Sequence, residues 1–301
     1  MKKLLVIGGT GFIGYHIIKE AKKRNYSTYS ISLKNPQKKR FHLKVNYIKA
    51  DISKYNQLKK KLGKKYDYVV NAGGYGINPK HGKEGEKLIR SHYLGLQNIL
   101  KILNLKKIKK FVQIGSSSEY GKVSSPIKET ATCKPKTPYS IAKFLCTQHL
   151  VNLYLKSNFP VTIFRLFQVY GSKQDENRVI PFIINNCLKN KTFSTTEGSQ
   201  ICDFCYIDDI VKVIFKSFKN KKTNGEIINI GSGQPIQLKR IFKHIIKKIG
   251  KGKPKIGGLN YEKEKNKISF PSIAKAKKLL KWKPNTTFEK GINNTIKSYN
   301  E

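Results

Sequence analysis

The stretch that decides the fold is KKLLVIGGTGFIG, residues 2–14. Its first half is a short apolar run, typical of a parallel strand that is buried on both faces. The run ends in glycines, and residues 12–24 continue with apolar side chains at helical spacing. A strand, a glycine-rich turn and a helix in this order predict the first unit of an α/β fold.

The glycines of this turn fit a dinucleotide-binding pattern. Gly9, Gly11 and Gly14 match G-x-G-x-x-G, and Gly8 extends the match to the related G-x-x-G-x-x-G. Glycine permits a tight turn and close approach to a pyrophosphate, while the helix N-terminus points at the anion. The predicted cofactor contacts of the turn are Gly8, Thr10, Gly11, Phe12, Ile13 and Gly14.

Strand-like and helical segments alternate over the first 170 residues or so. The further predicted strands are 26–33, 45–50, 67–74, 109–117 and 160–167, with long helices at 84–104 and 139–156. This alternation predicts a Rossmann-type doubly wound parallel sheet. We expect residues 1–170 to form the NAD(P)-binding domain, with a further strand near 225–231. We expect residues 171–301 to form mainly a smaller, interleaved C-terminal substrate-binding lobe.

Bulk composition indicates a globular protein with a sizeable core. The 301 residues are 38% hydrophobic and 26% charged, and no apolar run approaches a membrane span. The four apolar residues after Lys3 are too few for a signal peptide, so we expect a cytoplasmic protein. The scattered cysteines predict neither a disulfide framework nor a metal site: Cys133, Cys146, Cys187, Cys202 and Cys205.

The formal net charge of +43 is the most unusual bulk property. A basic surface can attract nucleic acid, but only six of the 61 basic residues are arginine, the residue favoured for phosphate and base recognition. The lysines are spread along the chain without a basic tail or a basic–aromatic module. We interpret the charge as a compositional bias and expect neither a nucleic acid nor a membrane partner.

The end of the second strand bears on the choice of cofactor. Ser32 occupies the position where an acidic residue would bind an NAD ribose, and Lys34 and Arg40 follow as cations able to pair with a 2′-phosphate. NADP(H) is therefore favoured, with NAD(H) as the alternative. The other predicted cofactor contacts follow the third and fourth strands: Asp51, which would reach the adenine amino group, Ile52, Ala72 and Gly73.

Two further motifs carry candidate chemistry. FVQIGSSSEYG, residues 111–121, places three serines at the carboxyl end of a predicted strand, where ligands bind in open α/β sheets. PYSIAK, residues 138–143, sets Tyr139 and Lys143 on one face of a helix. Such pairs also arise by chance in so lysine-rich a chain. A free tyrosine has a pKa near 10, and a nearby ammonium favours its phenolate form.

The glycine-rich turn, the serine after the fifth strand and Tyr-x-x-x-Lys together resemble the extended short-chain dehydrogenase/reductases, the NAD(P)-dependent nucleotide-sugar epimerase/dehydratase family. The resemblance runs through nearly the whole chain. Four stretches are similar to landmarks of the family's substrate lobe: RLFQVYG (165–171), NRVIPFI (177–183), GSQICDFCYIDDI (198–210) and AKAKKLLKWKP (274–284).

The resemblance implies a nucleotide-diphosphate sugar as substrate and a catalytic set of Ser116, Tyr139 and Lys143. Tyr139 would exchange a proton with a sugar oxygen while a hydride moves to or from the nicotinamide, and Ser116 would hydrogen-bond the same oxygen. Lys143 would also hold the nicotinamide ribose. A homodimer through the helices near 84–104 and 139–156 is implied as well. The expected substrate contacts are Ser117, Gln168, Arg178 and Val179.

Departures from the sequence patterns of the family narrow the choice among its reaction types. Dehydratases of the family place Asp-Glu directly after the serine or threonine, whereas Ser117 and Ser118 follow here and Glu119 comes one position later. GDP-fucose synthases carry a cysteine where this chain has Ser118, and a histidine that residues 172–177 lack. A C4-epimerase that works by transient oxidation needs no extra acid, but it usually keeps NAD, with the ribose acid that Ser32 replaces.

The expected activity is therefore NADPH-dependent reduction of the 4-keto group of a nucleotide-activated 6-deoxy sugar, for deoxysugar and surface polysaccharide biosynthesis. Within the family the chain looks most similar to CDP-abequose synthase-type reductases. Two alternatives stay open: an NAD(P)-dependent nucleotide-sugar epimerase, and a noncatalytic member that binds RNA or senses the cofactor. Two arginines that bind the sugar diphosphate in many family members are missing from this chain. Cys202 stands in place of the first, and near 262–266, where the second is expected, the chain has Lys263, Lys265 and Lys267.

Overall fold

A computed structural model of the chain describes residues 1–74, 82–259 and 267–299. Seven parallel strands form the main sheet, in the spatial order β10 (Glu226–Ile230), β6 (Val161–Leu166), β5 (Lys110–Ser116), β4 (Tyr68–Asn71), β1 (Lys3–Ile7), β2 (Ser27–Ser32) and β3 (Asn46–Lys49). The strand order reverses between β1 and β4, which is where open α/β sheets bind ligands. The predicted Rossmann-type fold is confirmed.

Helices pack on both faces of this sheet and against the smaller strands. In chain order they are α1 (Phe12–Lys23), α2 (Tyr55–Lys61), α3 (Lys83–Ile89), α4 (Gly95–Ile102), α5 (Pro138–Ser157), α6 (Val179–Leu188), α7 (Ile207–Ser217), α8 (Leu238–Ile249), α9 (Ala274–Leu280) and α10 (Phe288–Lys297). The single helix predicted over 84–104 is divided, because a π-helical turn, Arg90–Leu94, joins α3 to α4. Such turns widen a helix locally and are frequent at functional sites. Across the described ranges, no helix is both long and apolar enough to cross a membrane.

The alternation of side chains along β1 explains the two-faced core. Leu4 and Val6 pack into the cluster that contains α1 and α7, whereas Leu5 and Ile7 pack into the cluster that contains α2, α4 and α5. Successive residues of a strand face opposite sides, so a strand covered on both sides must be apolar at every position.

The smaller strands gather around β9 (Ile201–Tyr206). It pairs with β7 (Gln168–Tyr170), β11 (Pro235–Gln237) and β13 (Ile268–Ser269), while β8 (Thr192–Thr195) pairs with β12 (Lys253–Ile256). The chain therefore leaves the main sheet after β6, builds part of this region, and returns to the sheet at β10.

Lys110 is a buried charged residue at the start of β5. Its ammonium lies within hydrogen-bond reach of four oxygens: Thr162 Oγ1 at 3.3 Å, Asn220 O at 2.9 Å, Thr223 Oγ1 at 3.0 Å and Asn224 Oδ1. No carboxylate takes part in this set, and burial lowers the pKa of Lys110 to about 8. The side chain joins β5 to β6 and to the turn that precedes β10.

This pKa predicts a specific pH dependence of stability. Between pH 8 and pH 10 the unfolded chain keeps the Lys110 proton longer than the folded protein, so the free energy of unfolding should rise with pH. Relative to Lys110→Met, the wild type should gain about 1 kcal/mol between pH 8 and pH 9. Urea unfolding of both proteins at the two pH values measures the difference. Parallel pH profiles would mean that the four oxygens keep the ammonium charged.

Candidate active site

The turn between β1 and α1 packs directly against the end of β4. Gly8 has a φ of +77°, and a Cβ added there would lie 2.7 Å from both Ala72 O and Gly73 Cα. A side chain at this position would thus be both strained and blocked. The predicted cofactor residues of β1 and of β4 therefore lie next to each other.

The first turn of α1, which contains Phe12, Ile13 and Gly14, suits an anion. Its N-cap residue Gly11 provides no side-chain hydrogen bond, and no acidic residue lies in the turn. The unpaired N–H groups and the helix dipole there favour a negative group such as a pyrophosphate. Thr10 N–H donates to Ser32 Oγ at 3.3 Å, which connects this turn to the end of β2. These residues fit a dinucleotide.

The two cations predicted to face a 2′-phosphate differ in their surroundings. Lys34 is exposed, whereas Arg40 is buried. Arg40 donates to Lys173 O from Nε at 3.0 Å and from Nη2 at 2.6 Å, and Nη2 also donates to Asp175 Oδ1 at 2.8 Å. The Asp175 carboxylate thus balances the charge of Arg40. Of the two cations predicted to bind a 2′-phosphate, one is therefore already paired, so the expected preference for NADP(H) over NAD(H) has less support.

Asp51 follows β3, and Ser53 orients its carboxylate. Asp51 Oδ1 accepts from Ser53 N at 2.9 Å and from Ser53 Oγ at 2.7 Å. Ile52 lies between them in sequence, and its carbonyl accepts from Asn98 Nδ2 at 2.9 Å. A cavity of about 200 Å³ opens here, lined by Asp51, Ser53, Lys83, Glu86, Lys87, Arg90 and Ser91.

Local sequence determines where α5 begins. Thr137 is the N-cap, and its side chain accepts from Ser140 N–H while Ser140 Oγ accepts from Thr137 N–H. Pro138 occupies the first helical position, where its missing N–H costs nothing. Tyr139 consequently lies in the first turn of α5, and Lys143 lies one turn further on.

Lys143 is held in place beneath Tyr139. It is only 4% exposed, and its Nζ donates to Ile114 O of β5 at 2.9 Å. Nζ lies 5.8 Å from the centroid of the Tyr139 ring. An ammonium has three donors, and one is used among the described residues, so two can serve a ligand.

The same sequence spacing elsewhere shows that spacing alone does not make a site. Tyr55 and Lys59 on α2 are also four residues apart, and Lys59 Nζ also lies 5.8 Å from the tyrosine ring centroid. Both residues are exposed. Burial of Lys143 and its bond to Ile114 O distinguish the pair on α5.

Ser116 ends β5 with its hydroxyl oriented as a donor. Its Oγ accepts from Ser118 N at 3.2 Å and from Ser118 Oγ at 2.9 Å. The hydrogen of the Ser116 hydroxyl remains available to another oxygen. Ser117 begins the short 3₁₀ helix Ser117–Tyr120 that follows.

Glu119, at the end of the three-serine run, faces the protein interior. It is fully buried, and both of its carboxylate oxygens accept hydrogen bonds from other residues: Ser116 N, Thr147 Oγ1 and Arg165 Nε. A carboxylate in this position cannot reach a substrate, which agrees with the sequence argument against a dehydratase.

His92 is a residue of this site that sequence reasoning missed. It is buried in the π-helical turn, and its ring meets the Tyr139 ring edge-on with centroids 5.7 Å apart. A Cβ added to Gly74 would lie 1.9 Å from His92 Cε1. The imidazole thus fills the space between the end of β4 and the tyrosine. A histidine within a predicted helix carries no local signal for such a contact.

The predicted substrate residues lie on two elements that follow β6. Gln168 is exposed on β7, Arg178 is the N-cap of α6, and Val179 is the first residue of that helix. Cys202, which replaces an expected arginine, lies in β9 opposite Ile236 of β11. Lys263 and Lys265 lie outside the described residues, and Lys267 is exposed.

All five cysteines are free, and burial raises the pKa of Cys202 to about 11. Within residues 1–74, 82–259 and 267–299, no group of three or more His, Cys, Asp or Glu side chains could hold a metal ion.

Comparison with known proteins relates this geometry to a family. The family model described as "NAD dependent epimerase/dehydratase family" matches residues 4–231. An uncharacterized UDP-glucose epimerase of Bacillus subtilis is 27% identical, over 98% of this chain and 96% of that protein. A UDP-N-acetyl-alpha-D-glucosaminuronate decarboxylase of Bacillus cytotoxicus is 29% identical, over 100% of this chain and 98% of that protein.

A solved structure extends the comparison to three dimensions. The UDP-glucuronic acid 4-epimerase of Bacillus cereus, in complex with UDP-glucuronic acid and NAD, superimposes with a TM-score of 0.86. It is 26% identical, and the match covers 99% of each chain. The fold is therefore shared over 99% of each chain.

The packing of His92 predicts the effect of two matched substitutions. Gly74→Ala places a methyl group against the imidazole and should displace His92 from Tyr139, so turnover should fall at least tenfold. Gly82→Ala is the control, because Gly82 has nearly the same φ, +102° against +104°, but no atom of the described residues lies within 4 Å of an added Cβ. Steady-state kinetics of both variants measures the difference. Equal losses would attribute the effect to backbone strain alone.

Proposed function

Because the chain belongs to the NAD dependent epimerase/dehydratase family, we propose that it interconverts C4 epimers of a nucleotide-activated sugar by transient oxidation. The observation that carries the proposal is the buried Lys143 ammonium, anchored to Ile114 O beneath Tyr139. Ser116 ends the strand to which Ile114 belongs. Such a set can hold and move one proton at one sugar oxygen.

The relatives favour epimerisation over the reduction expected from the sequence. Two of the three are named as epimerases of UDP-sugars, the third is named as a decarboxylase, and the solved epimerase holds NAD. By this likeness we assign NAD(H) as the cofactor and a UDP-sugar as the first substrate class to test.

The proposed mechanism assigns one task to each residue. The bound dinucleotide would supply reversible hydride transfer at its nicotinamide. Tyr139, as phenolate, would take the proton of the C4 hydroxyl and later return it. The Ser116 hydroxyl would donate to the same oxygen, and the Lys143 ammonium would stabilise the phenolate and hold the ribose.

An epimerase of this kind would keep its dinucleotide bound between turnovers. Contacts between segment 172–175 and the elements expected to hold the dinucleotide support such retention. Arg40, on the loop after β2, binds Lys173 O and Asp175. Burial lowers the pKa of His16 of α1 to about 4, and the neutral imidazole donates from Nε2 to Ser172 O at 2.8 Å. Segment 172–175 is thus fastened to two elements expected to hold the cofactor, which favours slow release.

A second candidate is the NADPH-dependent 4-ketoreductase expected from the sequence. One observation favours it: Ser32 provides no carboxylate at the end of β2, and the exposed Lys34 follows. A 2′-phosphate would meet no repulsion from these two residues. In this case the cofactor would have to exchange after each turnover.

The remaining assignments are proposals of the same kind. Lysines would replace the missing arginines as point charges for the sugar diphosphate, without their bidentate geometry. Gln168, Arg178 and Val179 would contact the nucleotide sugar. We also propose a homodimer through the α3–α4 segment and α5.

The first experiment distinguishes the two activities. Purified protein is denatured to release and quantify bound NAD and NADP, and then assayed with UDP-, CDP-, dTDP- and GDP-sugars and their 4-keto forms. We expect about one NAD per chain and interconversion of C4 epimers without net change in reduced cofactor. Stoichiometric loss of NADPH with a 4-keto sugar would establish the reductase instead. Inert cofactor with salt-sensitive RNA binding would favour the noncatalytic alternative.

The second experiment tests the proton carrier. Tyr139→Phe should keep cofactor affinity but lower kcat by about 10²–10⁴-fold, as expected when an acid/base group is removed. Tyr55→Phe is the matched control, because that tyrosine has the same spacing and distance to a lysine on an exposed helix. Comparable turnover in the two variants would refute the role of Tyr139.

A further inference from the structure

Glu119 connects three elements behind the candidate active site. Its Oε1 accepts from Ser116 N at 2.8 Å, at the end of β5. Its Oε2 accepts from Thr147 Oγ1 of α5 at 2.8 Å and from Arg165 Nε of β6 at 2.9 Å. The carboxylate is 0% exposed, so these bonds do not compete with water.

These elements include the ones that carry the proton chemistry. Ser116 is held directly through its peptide N–H, and the same residue caps the following 3₁₀ helix with its hydroxyl. Thr147 lies one helical turn beyond Lys143 on α5, the helix that also carries Tyr139. The bond from Lys143 Nζ to Ile114 O is a second link between β5 and α5. The distance between the Ser116 and Tyr139 hydroxyls therefore depends on both links.

Arg165 is the counter-ion of Glu119, with Arg165 Nε 2.9 Å from Glu119 Oε2. Burial opposes the charged guanidinium, but Glu119 and Tyr120 outweigh it and hold the pKa of Arg165 above its ordinary value. Arg165 Cζ lies 4.4 Å from the centroid of the Tyr120 ring, and Tyr120 Oη donates to Asn229 Oδ1 at 2.7 Å. An ionised carboxylate can accept at both oxygens, whereas a neutral acid or an amide would lose an acceptor position to its own hydrogens.

We propose that Glu119 is a positioning residue, which fixes the Ser116 hydroxyl relative to Tyr139 on α5, with Arg165 as its counter-ion. The proposal rests on the proposed function, because it assigns Ser116 and Tyr139 to one sugar oxygen. Glu119 itself touches no reacting atom. It acts by fixing the position of α5 relative to the end of β5.

The most conservative variant removes only the hydrogen bond between Glu119 and α5. Thr147→Val keeps the shape of the side chain and leaves the Glu119–Arg165 pair intact. We expect kcat to fall about tenfold, with the substrate KM and the cofactor Kd changed less than twofold. Thr295→Val is the matched control, because Thr295 is equally buried, donates to Gly291 O at 2.7 Å, and lies on α10. Thr147→Val should lose more stability than Thr295→Val, because its hydrogen bond is to a buried carboxylate, and only Thr147→Val should lose kcat.

A second pair of variants addresses the charge. Glu119→Gln leaves the Arg165 charge buried and unpaired and should destabilise the fold strongly. Glu119→Leu/Arg165→Met removes both charges and both acceptor oxygens, so it should recover much of the stability but not kcat. Recovery of wild-type kcat in this double variant, or equal kcat for Thr147→Val and Thr295→Val, would overturn the proposal.

Amide exchange separates this proposal from the proposed function. The Ser116 N–H should exchange slowly in the wild type and at least tenfold faster in Glu119→Leu/Arg165→Met, which has no side-chain acceptor at position 119, whether or not a substrate is known. If the wild type turns over no nucleotide sugar, the proposed function fails while this anchoring is still measured. An unchanged Ser116 exchange rate would refute the anchoring directly.

Discussion

The buried ion pair between Glu119 and Arg165 is the interaction on which the geometry of this site depends. It exists because β5 and β6 run parallel in a register that places Gly115 beside Arg165. A side chain at Gly115 would take the space of the carboxylate, since an added Cβ would lie 2.7 Å from Glu119 Oε1. A pair of charges so fully removed from water is stable only if its remaining hydrogen-bonding groups are satisfied. Ser116, Thr147 and Tyr120 contribute to that here.

Much of the fold and part of the site could be predicted because their signals are local. The apolar strands, the glycine turn after β1 and the helix that starts at Pro138 are each encoded within a few residues. The position of Ser116 at the end of β5 follows from the same pattern. The sheet then brings these segments together, because the carboxyl ends of parallel strands share one edge.

What could not be predicted depends on partners that are distant in sequence. Arg40 looked like a free cation, but its partners Lys173 and Asp175 lie 133 and 135 residues away. The position of Glu119 argued against a dehydratase, but its burial in an ion pair could not be predicted, because its partner Arg165 lies 46 residues later. The contact of His92 with Tyr139 likewise requires two helices to pack, and no periodicity encodes that.

The hydrogen bonds of the buried Lys110 ammonium have a consequence for the folding of the chain during its synthesis on the ribosome. The central sheet is complete only when β10 pairs with β6. Three of the residues whose oxygens bind the Lys110 ammonium are translated at least 110 residues after the lysine: Asn220, Thr223 and Asn224. Until then β6 has an open edge, and the ammonium lacks most of the groups that replace its water. Domains of this size tend to fold as units, so the nascent chain is exposed to edge-to-edge association until residue 230 has emerged.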